Sequence, residues 1–302
     1  MQNTSHLLMI EPADFGFNAE TAVNNAFQKN NEAGVQQEAL KEFRDLVNLL
    51  QQNKIDVTVV KDSGEDHTPD SIFPNNWVSF HENGNVFLYP MFAANRRLER
   101  KHLILNALKQ KFVFNETIDL TYYEELGYYL EGTGSMVLDR VNHLAYACIS
   151  PRTTVELLNS FCIINQFDCV SFSAKDETGV DIYHTNVMMS VADRYAVICL
   201  EAINDQTARE NVITTLERTG KAIIEISLEQ LRCFAGNMLQ VINADKELLL
   251  VMSTQAYQSL GGSQLATLLQ YNRILHSPLN HIESVGGGSA RCMMAEIFLT
   301  PK

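Results

Sequence analysis

Short apolar runs recur in pairs along the chain, and a polar turn splits each pair. Trp77–Phe80 and Val86–Pro90 flank residues 81–85, and Met136–Leu138 and His143–Ile149 flank 139–142. Val187–Val191 and Tyr195–Leu200 flank 192–194, and Met238–Ile242 and Leu248–Met252 flank 243–247. Apolar runs joined by a few turn residues predict β-hairpins. Asn76, Ser135, Asn186, Asn237 and Cys292 mark the same register at intervals of 51 to 59 residues. A period in this range marks one supersecondary unit used repeatedly. The fifth unit opens at Cys292 and runs out of chain. The unpaired apolar run His6–Ile10 is predicted to complete it.

Between hairpins the periodicity changes to that of helices, predicted over 33–53, 95–110, 151–166, 204–219 and 254–271. In the first, Val35, Leu40, Phe43, Val47 and Leu50 share one face. Pro151 suits the first position of the third helix, and Asn204 suits the N-cap of the fourth. A further β-like run follows each helix: Ile55–Val60, Phe112–Phe114, Cys169–Phe172, Ala222–Ile226 and Arg273–Leu275. The fold class is therefore α/β, a hairpin–helix–strand unit used five times. With the N-terminal strand closing the last unit the chain forms a ring, which protects its sheet edges.

A closed ring turns the residues just before each hairpin toward one axis. They are Asn75-Asn76, Glu131-Gly132-Thr133-Gly134, His184-Thr185-Asn186, Gly236-Asn237 and Cys292. A carboxylate, an imidazole, a thiol and several amides converge there. Packing alone would have placed apolar side chains at such a centre, so the cluster reads as a site.

Composition narrows the function. The chain has 302 residues, 46 % of them hydrophobic, and no Pro/Ser-rich linker, so one domain over 1–302 is expected. A formal charge of −13 argues against nucleic-acid partners. The basic stretch Arg96–His102 is short and carries a glutamate. No run is long enough to span a bilayer, and Met1–Ile10 lacks the charged start of a signal peptide. Six cysteines without a C-x-x-C pair fit a reducing cytoplasm, five of them structural and one, Cys292, exposed at the mouth of Gly286–Gly288. His184 has no ligating partner at metal spacing, and no nucleotide motif follows Gly286–Gly288, so neither metal nor cofactor is expected. Met188-Met189 and Met293-Met294 are expected in the core, and Trp77 as half core and half pocket wall.

Phe73-Pro74-Asn75-Asn76-Trp77, Leu130-Glu131-Gly132-Thr133-Gly134, His184-Thr185-Asn186-Val187 and Gly286–Cys292 together resemble the motif set of the guanidino-group-modifying superfamily. That superfamily holds arginine deiminases, dimethylarginine hydrolases and amidinotransferases. The likeness spans nearly the whole chain, in order. It is greatest to the branch of amidinotransferases and citrulline-utilisation hydrolases, which shares the Phe-Pro-Asn-Asn-Trp and Asn95-Arg96-Arg97 runs. The resemblance implies the pentein fold, a pseudo-fivefold five-bladed α/β propeller. It also implies catalysis by Cys292, His184 and Glu131, with Asn75, Asn76, Asn186 and Asn237 around the substrate. Arg96 or Arg97 is placed to anchor a substrate carboxylate.

Departures from the family pattern bear on the substrate. The second residue after the histidine is Asn186 where arginine-processing members carry aspartate, and Asn76 replaces a second aspartate. Glu-Gly-Gly-Asp becomes Glu131–Gly134, and Gly287 stands where deiminases place an arginine. Amides in place of two carboxylates suit a neutral ureido group better than a guanidinium. The first reading is thus a hydrolase of the ureido C–N bond of a small arginine-related amino acid, citrulline, yielding ornithine, ammonia and carbon dioxide through an S-carbamoyl cysteine. Within the same chemistry stand arginine deiminase, dihydrolase or amidinotransferase. A non-enzymatic binding protein on the same ring is the third reading. The expected partner is a small amino-acid substrate, and a homo-oligomer is compatible with the sequence.

Overall fold

The computed structural model describes residues 1–29 and 34–302. Its strands, in chain order, are β1 His6–Glu11, β2 Asp56–Lys61, β3 Val78–Phe80, β4 Asn85–Leu88 and β5 Glu116–Asp119. There follow β6 Val137–Asp139, β7 Leu144–Cys148, β8 Asp168–Phe172, β9 Met189–Val191 and β10 Tyr195–Ile198. Last come β11 Ala222–Glu225, β12 Leu239–Ile242, β13 Leu248–Ser253, β14 Arg273–Ser277 and β15 Ala295–Glu296. They form five three-stranded sheets. In each, a middle strand pairs antiparallel with its hairpin partner and parallel with the strand beyond the helix. Ser79 lies opposite Phe87 in the first hairpin, for example, while Asn85 of β4 aligns with Glu116 of β5.

The fifth sheet is completed as expected. β1 takes the middle position, antiparallel to β15 with Leu7 opposite Glu296, and parallel to β2 with His6 opposite Asp56. Neighbouring sheets then touch in turn: β15 against β3, β6 against β9, β9 against β12, and the turn at Ala290–Met293 against β13. The turn Gly132–Ser135 packs on Pro74–Asn76 and links the first two hairpins. This is the fivefold α/β ring of the pentein fold.

The helix Val35–Gln52 shows how a unit is held. Val35, Ala39, Phe43, Leu46, Val47 and Leu50 are buried along one stripe against β2 and β14. Truncating one of the larger side chains to alanine would cost about 2–5 kcal/mol. Glu42 is buried on the same helix and accepts the backbone N–H groups of His281 and Ile282 at 3.0–3.1 Å. It thereby fixes the segment that leads into Gly286–Gly288.

Several boundaries moved. Residue 33, where the first helix was expected to begin, lies outside the described residues. The predicted helix 95–110 is a 3₁₀ turn at Asn95–Glu99 followed by a helix at His102–Lys111. Phe112–Phe114 is not the next strand: Phe112 bridges Pro301 and β5 starts at Glu116. The third helix starts at Val155 rather than Pro151, and Asp205, not Asn204, caps the fourth by accepting from Ala208 N. Leu260 and Gly261 split the last helix into Thr254–Ser259 and Gly262–Leu268. Trp77 is wholly buried in the core with Phe80, Ile104 and Leu108 and forms no pocket wall. The four paired methionines are all fully buried. Among the described residues no helix is long and apolar enough to cross a membrane.

Candidate active site

Cys292 sits in the 3₁₀ turn Ala290–Met293 just after the glycine run. It is only 3 % exposed, not the open thiol expected, because Phe73 lays its ring where side chains at Gly286 and Gly288 would stand. Two side-chain amides donate to its sulfur, Asn237 Nδ2 at 3.2 Å and Asn186 Nδ2 at 3.4 Å. Asn237 is locked in that orientation: its Oδ1 accepts Arg291 N–H at 3.0 Å, and its Nδ2 also donates to Asn186 O at 2.8 Å. Such donors stabilise negative charge as it develops on sulfur. Cys148 and Cys199, by contrast, are thiols that burial pushes up to about 12, which leaves them inert.

The other half of the site is charged. His184 Nε2 lies 2.8 Å from Glu131 Oε2, and Glu131 Oε1 accepts Phe92 N–H at 3.0 Å. Arg152 and Arg96 bring Nη1 atoms to 3.6 and 3.8 Å of the same Glu131 oxygen. Burial opposes ionisation of Glu131, but Arg152, His184 and Arg96 outweigh it and hold its carboxyl well below the usual range. For His184 burial wins over the pull of Glu131, with Arg152 and Arg96 adding to it, and lowers the imidazole to about 4. The neutral ring therefore donates through Nε2 to Glu131 and keeps a lone pair on Nδ1. Gly134 makes this approach possible, since a Cβ there would lie 2.9 Å from the His184 ring and collide with Asn76 Nδ2.

Asn76, Arg96, His184 and Cys292 line one cavity. Asn186 and Asn237 back it beside the sulfur, and Glu131 backs it behind His184. Asn75 and Arg97 are not in its wall. Asn75 points back to Thr133 Oγ1 at 3.4 Å, and Arg97 turns outward to Met91 O at 3.1 Å and to Glu124. Adjacent residues of a 3₁₀ turn point about 120° apart, so only one of the arginine pair can face the cavity. Arg96 is held there by Glu99 at 2.8 and 3.0 Å and by Asn76 Oδ1 at 3.0 Å.

Four cavity residues escaped the sequence reading: Asn25, Asp70, Arg152 and Tyr183. Asp70 lies three residues ahead of the Phe73–Trp77 motif, and Arg152 follows the second hairpin much as Arg96 follows the first. Comparing post-hairpin segments across the repeat would have found the second arginine. Asp70 Oδ2 accepts from Asn18 Nδ2 at 2.8 Å and Thr21 Oγ1 at 3.1 Å, while its Oδ1 has no partner. Burial raises its carboxyl despite Arg96 nearby. Arg152 uses Nε and Nη2 on Asn24 Oδ1 and Thr21 O, and its Nη1 faces Glu131. Asn25 and Gln28 donate to Gly287 O and Gly286 O, so residues 18–28 cover the cavity. The covered cavity keeps room for roughly one water.

The profile of the family described as N,N dimethylarginine dimethylhydrolase, eukaryotic, matches residues 11–299. The chain belongs to that family. No curated protein matches it by sequence. Among solved structures it is similar to ArgZ, an arginine dihydrolase from the ornithine–ammonia cycle in cyanobacteria, at 18 % identity and TM-score 0.76, over 97 % of this chain and 40 % of that one. The family member thus spans about two fifths of full-length ArgZ. A substrate-bound cysteine-to-serine mutant of the ArgZ N-terminal domain matches at 18 % identity and TM-score 0.75, over 97 % of this chain and 99 % of that domain. A dimethylarginine dimethylaminohydrolase, in adduct with S-methyl-L-thiocitrulline, matches at 14 % identity and TM-score 0.68, over 98 % and 100 %. At these identities the structural likeness carries the fold. Family and fold together bear out the resemblance to the guanidino-group-modifying superfamily.

Proposed function

We propose that this chain is a cysteine-dependent hydrolase of the ureido C–N bond of citrulline. One observation carries the reading. Arg96 offers only donors, so it pins Asn76 with Oδ1 engaged and Nδ2 free. Asn186 gives Nδ2 to the sulfur, which leaves its Oδ1 without a partner. Asn76 in the cavity wall thus keeps a free donor, and Asn186 behind the sulfur an unpartnered acceptor. A ureido group presents a carbonyl oxygen and an NH₂, which complements that pair. A guanidinium presents donors alone and would meet the Asn76 NH₂ unmatched.

Neutral His184 takes the Cys292 proton on Nδ1, and the thiolate attacks the ureido carbon. The imidazolium, steadied by Glu131, then protonates the departing δ-nitrogen, so ornithine leaves and an S-carbamoyl cysteine remains. Water, relieved of a proton by His184, cleaves the thiocarbamate and frees carbamic acid, which breaks down to ammonia and carbon dioxide. This order puts base before acid in the work of His184, because the buried ring rests neutral. The unpartnered Asp70 Oδ1 suits the α-ammonium of the substrate. The steps call for no cofactor, and the five units act as one catalytic domain over 1–302. Six free cysteines fit a reducing compartment such as the cytoplasm.

Steady-state kinetics on citrulline, arginine and dimethylarginine, scored for ornithine, citrulline and ammonia, test the reading. Turnover of citrulline to ornithine supports it, whereas free turnover of arginine or dimethylarginine with citrulline ignored would sink it. Arginine dihydrolysis is the second reading, favoured by the unpartnered Asp70 oxygen and by the ArgZ likeness. It ends on the same ureido step, so it would show as arginine and citrulline both yielding ornithine.

A further inference from the structure

The catalytic steps give no part to one buried carboxylate beside the site. Glu99 is 1 % exposed and stands three residues after Arg96 in the 3₁₀ turn Asn95–Glu99, where three residues per turn set it over the arginine. It accepts two hydrogen bonds from that side chain, Arg96 Nε to Oε1 at 2.8 Å and Nη2 to Oε2 at 3.0 Å. A two-point pair of this kind fixes the plane of a guanidinium as well as its position. Burial pushes the Glu99 carboxyl up to about 7 against the pull of Arg96, so its charge is kept at a cost.

The plane matters because of what the rest of the fork reaches. With one edge given to Glu99, Nη1 is aimed at Asn76 Oδ1 at 3.0 Å, and Nη2 also meets Phe73 O at 3.4 Å. Two other carboxylates compete for the same guanidinium: Asp70 Oδ2 lies 3.8 Å from Nε, and Glu131 Oε2 lies 3.8 Å from Nη1. Without Glu99 the fork would turn to one of them and release Asn76, whose amide would then be free to rotate. Arg152, the arginine that follows the second hairpin, is held by Asn24 and Thr21 rather than by a carboxylate of its own turn. We propose that Glu99 is a positioning residue for substrate choice: through Arg96 it keeps the Asn76 NH₂, and not its oxygen, turned to the substrate. This rests on the ureido reading above, in which that NH₂ meets the substrate oxygen.

Calorimetric titration of the full chain with citrulline and with arginine at pH 8.5 tests this. Cys292→Ser is the parent, since it should bind without turnover and keeps an acceptor for the two amides that face the sulfur. Glu99→Gln sets an NH₂ against an arginine N–H, so the two-point pair cannot form. The ratio of the arginine Kd to the citrulline Kd should then fall about tenfold, the scale of one mismatched buried contact. In an Asn76→Ala background the same change should leave the ratio where it was, because the amide it acts through is gone. A mere loss of stability would weaken both ligands alike and leave the ratio unmoved. An unmoved ratio in Glu99→Gln, an equal shift in the Asn76→Ala background, or binding of neither ligand would overturn the proposal. Should Glu99→Gln fail to fold, Glu99→Asp is too short to hold both nitrogens and should shift the ratio the same way; an unmoved ratio there overturns it. Wild-type turnover tests the ureido reading separately: turnover of arginine alone would sink that reading, while the change in Kd ratio still decides the role of Glu99.

Discussion

The two halves of the catalytic cavity are built from opposite materials. Around His184 stand Glu131, Asp70, Arg96 and Arg152, a dense set of buried charges that fix one another. The Cys292 sulfur takes its hydrogen bonds from two uncharged amides, Asn186 and Asn237. The proton-handling half needs charge to set the state of its histidine. The nucleophile half needs donors that carry no formal charge, so that the sulfur gathers negative charge without a permanent ion pair to break. Removing a charged member should therefore damage both stability and chemistry, and removing a neutral member chiefly chemistry.

Cys292→Ala is the sharpest break. Turnover should fall below detection, while thermal unfolding shifts by the equivalent of about 1 kcal/mol, since a small side chain leaves a small void. Retained activity in that variant would end the covalent mechanism. His184→Asn should lower kcat by about 10²–10⁴-fold, the usual span for a general acid–base. Glu131→Gln, measured by denaturant unfolding, should cost about 3–5 kcal/mol, because the buried Arg152 would lose the carboxylate it faces. A stability loss as small as that of Cys292→Ala would erase the contrast between the halves.

A smaller effect probes specificity. Asn76→Asp with Asn186→Asp should move the citrulline-to-arginine ratio of kcat/KM toward arginine by one to two powers of ten, about 1–3 kcal/mol per mismatched buried contact. Using the ratio separates this shift from any general loss of activity. An unmoved ratio would mean that the amide pair does not choose the substrate.

The mildest prediction concerns pH. The folded chain keeps His184 neutral down to about 4, whereas an unfolded imidazole takes its proton near 6.5. Unfolding thus binds a proton in that window, so stability present above pH 6.5 is lost as pH falls toward 4. His184→Gln should flatten that part of the stability–pH curve by up to one proton. An unchanged slope would show the ring to be charged in the fold.

Much of this architecture was legible in the chain itself. The 51–59-residue period, the hairpins, the closure by His6–Ile10 and the convergence of Glu131, His184 and Cys292 all follow from apolar runs and turn residues. These are local signals, because strand alternation and turn chemistry act over a few residues. Irregular segments followed other rules. Whether Arg96 or Arg97 enters the cavity, that Asn75 turns to Thr133, and that Asp70 and Arg152 join the site depend on partners far along the chain. The burial of Cys292 likewise depends on Phe73, more than two hundred residues away. The sequence by itself determined the ring and the types of groups at its centre. Only tertiary packing decided which atoms of those groups stay free, because each free donor or acceptor is what long-range hydrogen bonding leaves over.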